Sequence, residues 1–477
     1  MESIYWYDYE TFGTDPARDR PAQFAGLRTD LALRPLAPPL VLYCKPTPDY
    51  LPQPDACLIT GITPQLALEQ GIPECDFIAS INAEFSVPET CVAGYNNIRF
   101  DDEVTRYTLY RNLFDPYARE WRHGNSRWDL IDVMRMTYAL RPDGIVWPAD
   151  EEGKPVFKLD RLTAANGIEH VGAHDALSDV RATIDLARLL LDKQPRLFAF
   201  LMNHRGKSHA ARLLGLGKLE PVVHASSRFA AEKGCVAIIV ALAKHPRNSQ
   251  SIVTYDLSVD PEPLLSLGAE ELHHRLYTPR SELGDGVERV ALKTVHLNKC
   301  PALAPMSVVR PQDAERLGLD LPRCHSHLAR LRQARDLGQK IKEIFTIDRR
   351  EKSTEDPDLM LYDGFFSDRD RRVLNDLKAF APEQLAVARP EFEEPRLTEM
   401  LFRYRARNYP ETLTESEQTV WRDFCRKRLT DKRLGASLTL DEFHQRIIAL
   451  EEVPLLPRQR QILTELRAYS QRISGTG

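Results

Sequence analysis

An α/β domain, a small β-rich barrel and an all-α domain, in that order, are what this 477-residue sequence predicts. Three observations predict it. Strand-like runs are interleaved with amphipathic helical stretches up to residue 195. Apolar, β-branched runs cut by Gly, Pro and Asn turns follow up to residue 350, and from 351 to 477 only helical periodicity remains. The expected domains are therefore 1–195, 196–350 and 351–477, with Gln194-Pro195-Arg196 marking the first boundary. This fits the roughly two to four domains that the length alone implies.

The composition is that of a soluble globular protein, 43% hydrophobic and 28% charged. No run approaches the ~18 apolar residues of a membrane span, and no signal peptide is expected before the first strand. Eight cysteines are scattered without CxxC pairs; a reducing, cytoplasmic location fits them. The formal net charge of −5 argues against binding nucleic acid by bulk positive charge, but not against a local basic groove.

The first strand, Tyr5 to Gly13, carries two acids among aromatics. Residues two apart on a strand share a face, so Asp8 and Glu10 project together while Tyr7, Tyr9 and Thr11 point the other way. Two adjacent anions call for a cation such as Mg²⁺; a solvated edge strand with alternating charge is the plainer account. Phe24–Thr29 and Leu40–Cys44 read as further strands of a meander. Thr63-Pro64 opens a helix; Phe77, Ile81 and Phe85 mark the face of another; Cys91–Gly94 is a short buried strand.

That strand runs through an Asn96-Asn97 turn into a helix with Asp101, Asp102 and Glu103 in its first turn. Acids there complement the helix dipole, or one of them faces Asp8 and Glu10; spacing does not choose between Asp101 and Asp102. Trp128 to Leu140 reads as a helix ended by Arg141-Pro142-Asp143-Gly144, and Leu159 to Ala165 as one stopped by Asn166-Gly167. A long helix then runs to about Leu191, and on it Asp179 stands two turns before Leu186, on the core side. A carboxylate there is costly unless paired or metal-bound. His174, five residues earlier, falls on the loop before this helix, either as a surface residue or over the same site. Four carboxylates can hold two divalent ions about 4 Å apart for phosphoryl displacement, and a histidine near its own pKa can take the proton from an attacking water.

Asp8-Tyr9-Glu10-Thr11, Asn97-Ile98-Arg99-Phe100-Asp101 and His174-Asp175-Ala176-Leu177-Ser178-Asp179 resemble the three motifs of the DEDDh exonucleases, whose fold is ribonuclease-H-like. The wider text, from Gly94 to Arg106, Asn125 to Trp128 and Arg141-Pro142, resembles the bacterial exonuclease I family over essentially the whole chain. The resemblance implies an α/β ribonuclease-H-like exonuclease domain, an SH3-like β-rich domain and a C-terminal all-α domain. It selects Asp101 over Asp102, and implies two Mg²⁺ ions (Mn²⁺ substituting) on Asp8, Glu10, Asp101 and Asp179, with His174 as general base. The implied reaction is 3′→5′ removal of mononucleotides from single-stranded DNA in repair and recombination, by a monomer. Glu10, Thr11, Phe12, Arg141 and Phe200 match, or nearly match, positions along the DNA, Phe200 replacing a tyrosine.

In the middle part, Cys235–Val240, Ile252–Leu257 and Val290–Leu297 read as strands with a helix near 270–277 inserted. Histidines and cysteines at 296–300 and 324–327 lack zinc spacing. From Arg310 to Lys352, eleven Lys or Arg stand against seven acids. That surface is either simply solvated or, as the resemblance implies, the dock for the acidic, hydrophobic C-terminal tail of single-stranded-DNA-binding protein, with Arg310 and Arg332 taking part.

The last part reads as helices over 368–380, 398–407, 415–429, 440–451 and 458–473. Leu401 to Tyr409 interleaves cations with aromatics, which suits stacked, unpaired bases and equally suits a core face flanked by salt bridges. Two other functions stand beside the exodeoxyribonuclease: a ribonuclease or oligoribonuclease using the same site, and a catalytically silent DNA-binding scaffold.

Overall fold

The Tyr5–Gly13 stretch becomes the centre of a five-stranded sheet in the computed structural model, which describes residues 2–170, 172, 175–284, 286–347 and 354–475. β1 (Ser3–Thr11) pairs antiparallel with β2 (Pro21–Thr29) and parallel with β4 (Thr90–Gly94); β3 (Leu40–Tyr43) and β5 (Ser126–Asp129) complete the order β3-β2-β1-β4-β5. The first three strands form the expected meander. Tyr5, Tyr7 and Tyr9 share a core with Phe24, Phe77, Ile81 and Phe85, the Tyr7 and Phe85 rings meeting edge-on at 4.9 Å. This apolar face fixes the register, because a one-residue slip would drive both acids into it.

The chain divides into two compact units, Met1–Ser126 with Val171–Arg181 and Lys352–Gly477, and Arg127–His170 with Ala182–Glu351. In the first unit the C-terminal helices pack directly on the strands and loops of the N-terminal part. Phe443, Ile447, Ile462, Leu463 and Leu466 share one core with Phe12, Ala22, Tyr50 and Leu51. Beside it lies a buried ion network: Arg407 binds Asp49 at 2.8 Å and Asp358 at 2.5 Å, Arg403 reaches Asp358 at 3.1 Å, and Arg428 reaches Asp356 at 3.2 Å. Arg403, Arg405 and Arg407 are all buried on the helix Arg396–Asn408. Of the two readings of Leu401–Tyr409, the core face flanked by salt bridges is the observed one.

The second unit carries an antiparallel sheet in the order β10-β6-β7-β8-β9, formed by β6 (Pro221–Ala225), β7 (Val236–Lys244), β8 (Ser251–Asp256), β9 (Leu292–His296) and β10 (Leu303–Pro305). Three of these were expected. β6 and β10 are short and bounded by proline, and nothing local distinguishes them from turns. The helix expected from Trp128 begins at Leu130 instead, because Trp128 belongs to β5 and packs edge-on to Phe198 at 5.2 Å. Asp129 caps the helix by accepting a hydrogen bond from the Ile131 N–H. A short helix at Pro382–Val387 also escaped the periodicity. Among the described residues no helix is long and apolar enough to cross a membrane.

Candidate active site

β1 brings Asp8 and Glu10 to one face, and the first turn of the helix Ala176–Lys193 brings Asp179 to them; one carboxylate oxygen from each lies within 4.8 Å of the others. Burial raises the Asp8 pKa well above the usual carboxylate range, and Asp101, Glu10, Asp179 and Asp175 raise it further. Burial, then Asp179 and Asp175, push Glu10 up to about 8. The neighbours that dominate the field at Asp8 and Glu10 are thus carboxylates. Buried anions that raise one another's pKa mark a site built for a cation, and an all-oxygen donor set suits a hard divalent one.

Asp101 and Asp102, equivalent by spacing, have different surroundings. Asp101 opens the helix Asp101–Arg111 and repels the Asp8 charge more strongly than Glu10 or Asp179 does. Asp102 is fully buried and accepts hydrogen bonds from Arg119 at 2.6 Å and the Tyr7 hydroxyl at 2.9 Å. The turn before them needs Asn96 in the left-handed region, φ 63°, where Asn is tolerated. It also needs Gly94, since a Cβ there would stand 2.8 Å from the Tyr7 carbonyl oxygen. His174 lies outside the described residues. Asp175, next to it, caps the helix by accepting from the Ser178 N–H at 3.2 Å.

Thr11 is buried, its hydroxyl donating to the Gly13 carbonyl at 2.6 Å. Phe12 is 1% exposed and sits among the C-terminal helices. Arg141 and Phe200 lie in the second unit, in a cavity of about 480 Å³ with Leu140, Leu197, Ala304 and Val308. Phe200 stacks on His204 at 4.2 Å. Arg310 binds the buried Asp313 through two hydrogen bonds, 2.6 and 3.0 Å, with Arg141 3.9 Å and Arg316 3.6 Å from the same acid. Arg332 is exposed and donates to the Leu219 carbonyl.

Sequence reasoning passed over Gln23 and Asp175, which join β2 to the helix bearing Asp179. The N-cap role of Asp175 was open to reading from Asp-x-x-Ser ahead of an apolar run. Gln23 carried no signal, being one polar residue in a strand.

The sheet and its converging acids define a nuclease of the multi-carboxylate, divalent-metal class. Family models match three stretches: "Exonuclease" over residues 5–187, "Exonuclease I SH3-like domain" over 205–347 and "Exonuclease I C-terminal domain" over 355–473. The chain is 48% identical to exodeoxyribonuclease I of Escherichia coli (strain K12), covering 91% of each chain, and 47% identical to that of Haemophilus influenzae, covering 90% of each. Its structure is similar to that of a moderately thermophilic exonuclease I from Methylocaldum szegediense (58% identity, 99% of this chain and 100% of that one, TM-score 0.96). It is also similar to E. coli exonuclease I in complex with a dA16 oligonucleotide (44%, 99% and 100%, TM-score 0.95). The chain belongs to the exonuclease I family of exodeoxyribonucleases: a ribonuclease-H-like exonuclease domain, an SH3-like domain and a helical C-terminal domain.

Proposed function

We propose that this protein degrades single-stranded DNA from its 3′ end to mononucleotides, acting as a cytoplasmic monomer in DNA repair and recombination, with its parts divided at 195 and 350. The observation that carries the reading is the convergence of Asp8, Glu10 and Asp179, with Asp101 acting on Asp8, in a site where burial and like charge raise the pKa values of Asp8 and Glu10. Divalent ions, two Mg²⁺ or Mn²⁺ in its place, would be held by these four carboxylates and would supply charge stabilisation to the scissile phosphate and to the attacking and leaving oxygens. Asp8 and Glu10, fixed by the aromatic core behind β1, set the geometry of that holding. His174, preceding the Asp179 helix, takes the proton of the attacking water. Thr11 and the backbone around it line the end of the strand. The test is digestion of 5′-labelled single strands: Mg²⁺-dependent shortening from the 3′ end, abolished by chelator and far slower on RNA, is expected, and equal cleavage of RNA would favour the ribonuclease reading instead.

Arg310 and Arg332 are proposed to receive the acidic tail of single-stranded-DNA-binding protein. Arg141 has a second reading, favoured by its place in the same arginine cluster around Asp313. There the apolar cavity beside Arg141 and Phe200 takes an apolar end of that tail while guanidinium groups bind its carboxylates.

A further inference from the structure

Gln23 is the register partner of Glu10 on the neighbouring strand. Directly opposed residues of an antiparallel pair share a face, so its side chain lies beside the acids, and it is only 2% exposed. Both ends of its amide are used. The oxygen accepts from the Ala176 N–H at 3.2 Å, one of the first-turn donors that a helix cannot satisfy internally. The nitrogen donates to the Asp175 carboxylate at 3.2 Å and to the Tyr43 hydroxyl at 3.1 Å. The other Asp175 oxygen caps the helix at Ser178, and the Asp175 carbonyl accepts from the N–H of Asp179. One amide thus ties the strand opposite Glu10 to the turn that presents Asp179, and does so at the residue following His174.

We infer that Gln23 is a positioning residue: acting through Asp175 and Ala176, it sets the spacing between the strand carboxylates and Asp179, and with it the grip on divalent metal. The inference rests on the metal-site reading above. Only an amide meets the demand, because one end must accept from a helix N–H while the other donates to a carboxylate. Glutamate would set two carboxylates against each other, and methionine would fill the space while making neither bond.

Gln23→Met is therefore the variant to test, with Mn²⁺ binding followed by titration calorimetry and turnover measured on single-stranded DNA. Loss of an outer partner of this kind weakens metal binding by about 10-fold or more. The expected result is that loss for Mn²⁺, a parallel fall in kcat, and a KM for DNA within about twofold of wild type. A role confined to packing would lower the melting temperature and leave Mn²⁺ affinity in the folded protein unchanged, and that result would overturn the inference. Should Gln23→Met not fold, Gln23→Asn keeps an amide but is one methylene too short to hold both Asp175 and Ala176, and an unchanged Mn²⁺ affinity there would overturn it equally. Wild-type protein that binds no Mn²⁺ would instead remove the metal reading on which the inference stands.

Discussion

Two groups of buried acids lie in the first compact unit, and they have opposite electrostatics. Around Asp8 and Glu10 the dominant charged neighbours are further carboxylates, and the pKa values are raised. Around Asp49 and Asp358, burial alone would raise the pKa, yet Arg407 and Arg428 at both acids, with Arg20 at the first and Arg403 at the second, outweigh it and hold both below the ordinary range. Desolvation acts on both groups alike, so the difference is in compensation. The arginine network completes its own charge balance inside the fold and joins the N-terminal part to the C-terminal helices. At Asp8 and Glu10 the charges that shift the acids are carboxylates, and in the function proposed above a cation from solution supplies the compensation.

The largest effect that would break this contrast is on activity. Asp8→Ala is expected to lower the rate of single-strand digestion by roughly three orders of magnitude, while thermal stability without metal stays level or rises, since one of several repelling anions is gone. A parallel loss of stability and activity would mean that Asp8 is structural, like Asp49. Next in size, Arg407→Ala leaves Asp49 and Asp358 buried with one cation fewer and is expected to cost about 3–5 kcal/mol in urea unfolding, with metal affinity of the remaining folded protein unchanged.

The smallest effect is on the pH dependence of stability, and the two groups should give opposite slopes. Asp49 and Asp358 have folded-state values below the unfolded value of about 4, so their contribution is complete above that pH and is lost as pH falls through the folded values. Asp8 and Glu10 have raised folded values, so their contribution is complete below an unfolded value of about 4 and is lost as pH rises, for Glu10 through about 8. Calorimetry on metal-free protein should therefore show a melting temperature that falls from pH 6 to 9, a fall that saturating Mg²⁺ removes, and a separate fall below pH 4 that Mg²⁺ does not touch.

Much of this contrast was legible in the sequence, and the part that was not has a common cause. The alternation that puts Asp8 with Glu10, the two-turn spacing that puts Asp179 on the core side of its helix, and the helix start at Thr63-Pro64 are all local, and local signals report them. Spacing could not tell Asp101 from Asp102, because the partners that engage Asp102, Tyr7 and Arg119, lie 95 and 17 residues away from it. The Arg403–Arg407 stretch looked as suited to DNA as to a core, because Asp49 and Asp358, which decide the matter, belong to other segments. Gln23 gains its meaning only from the helix start that folds against it.

The central claim is that the acids on β1 and the Asp179 helix form one cation site. It is tested most directly by titrating Mn²⁺ into wild-type and Asp8→Ala protein at the same pH and salt. Saturable binding to the wild type, weakened by at least about 10-fold in the variant, is the expected result. Equal binding by the two proteins, or none by either, would contradict it.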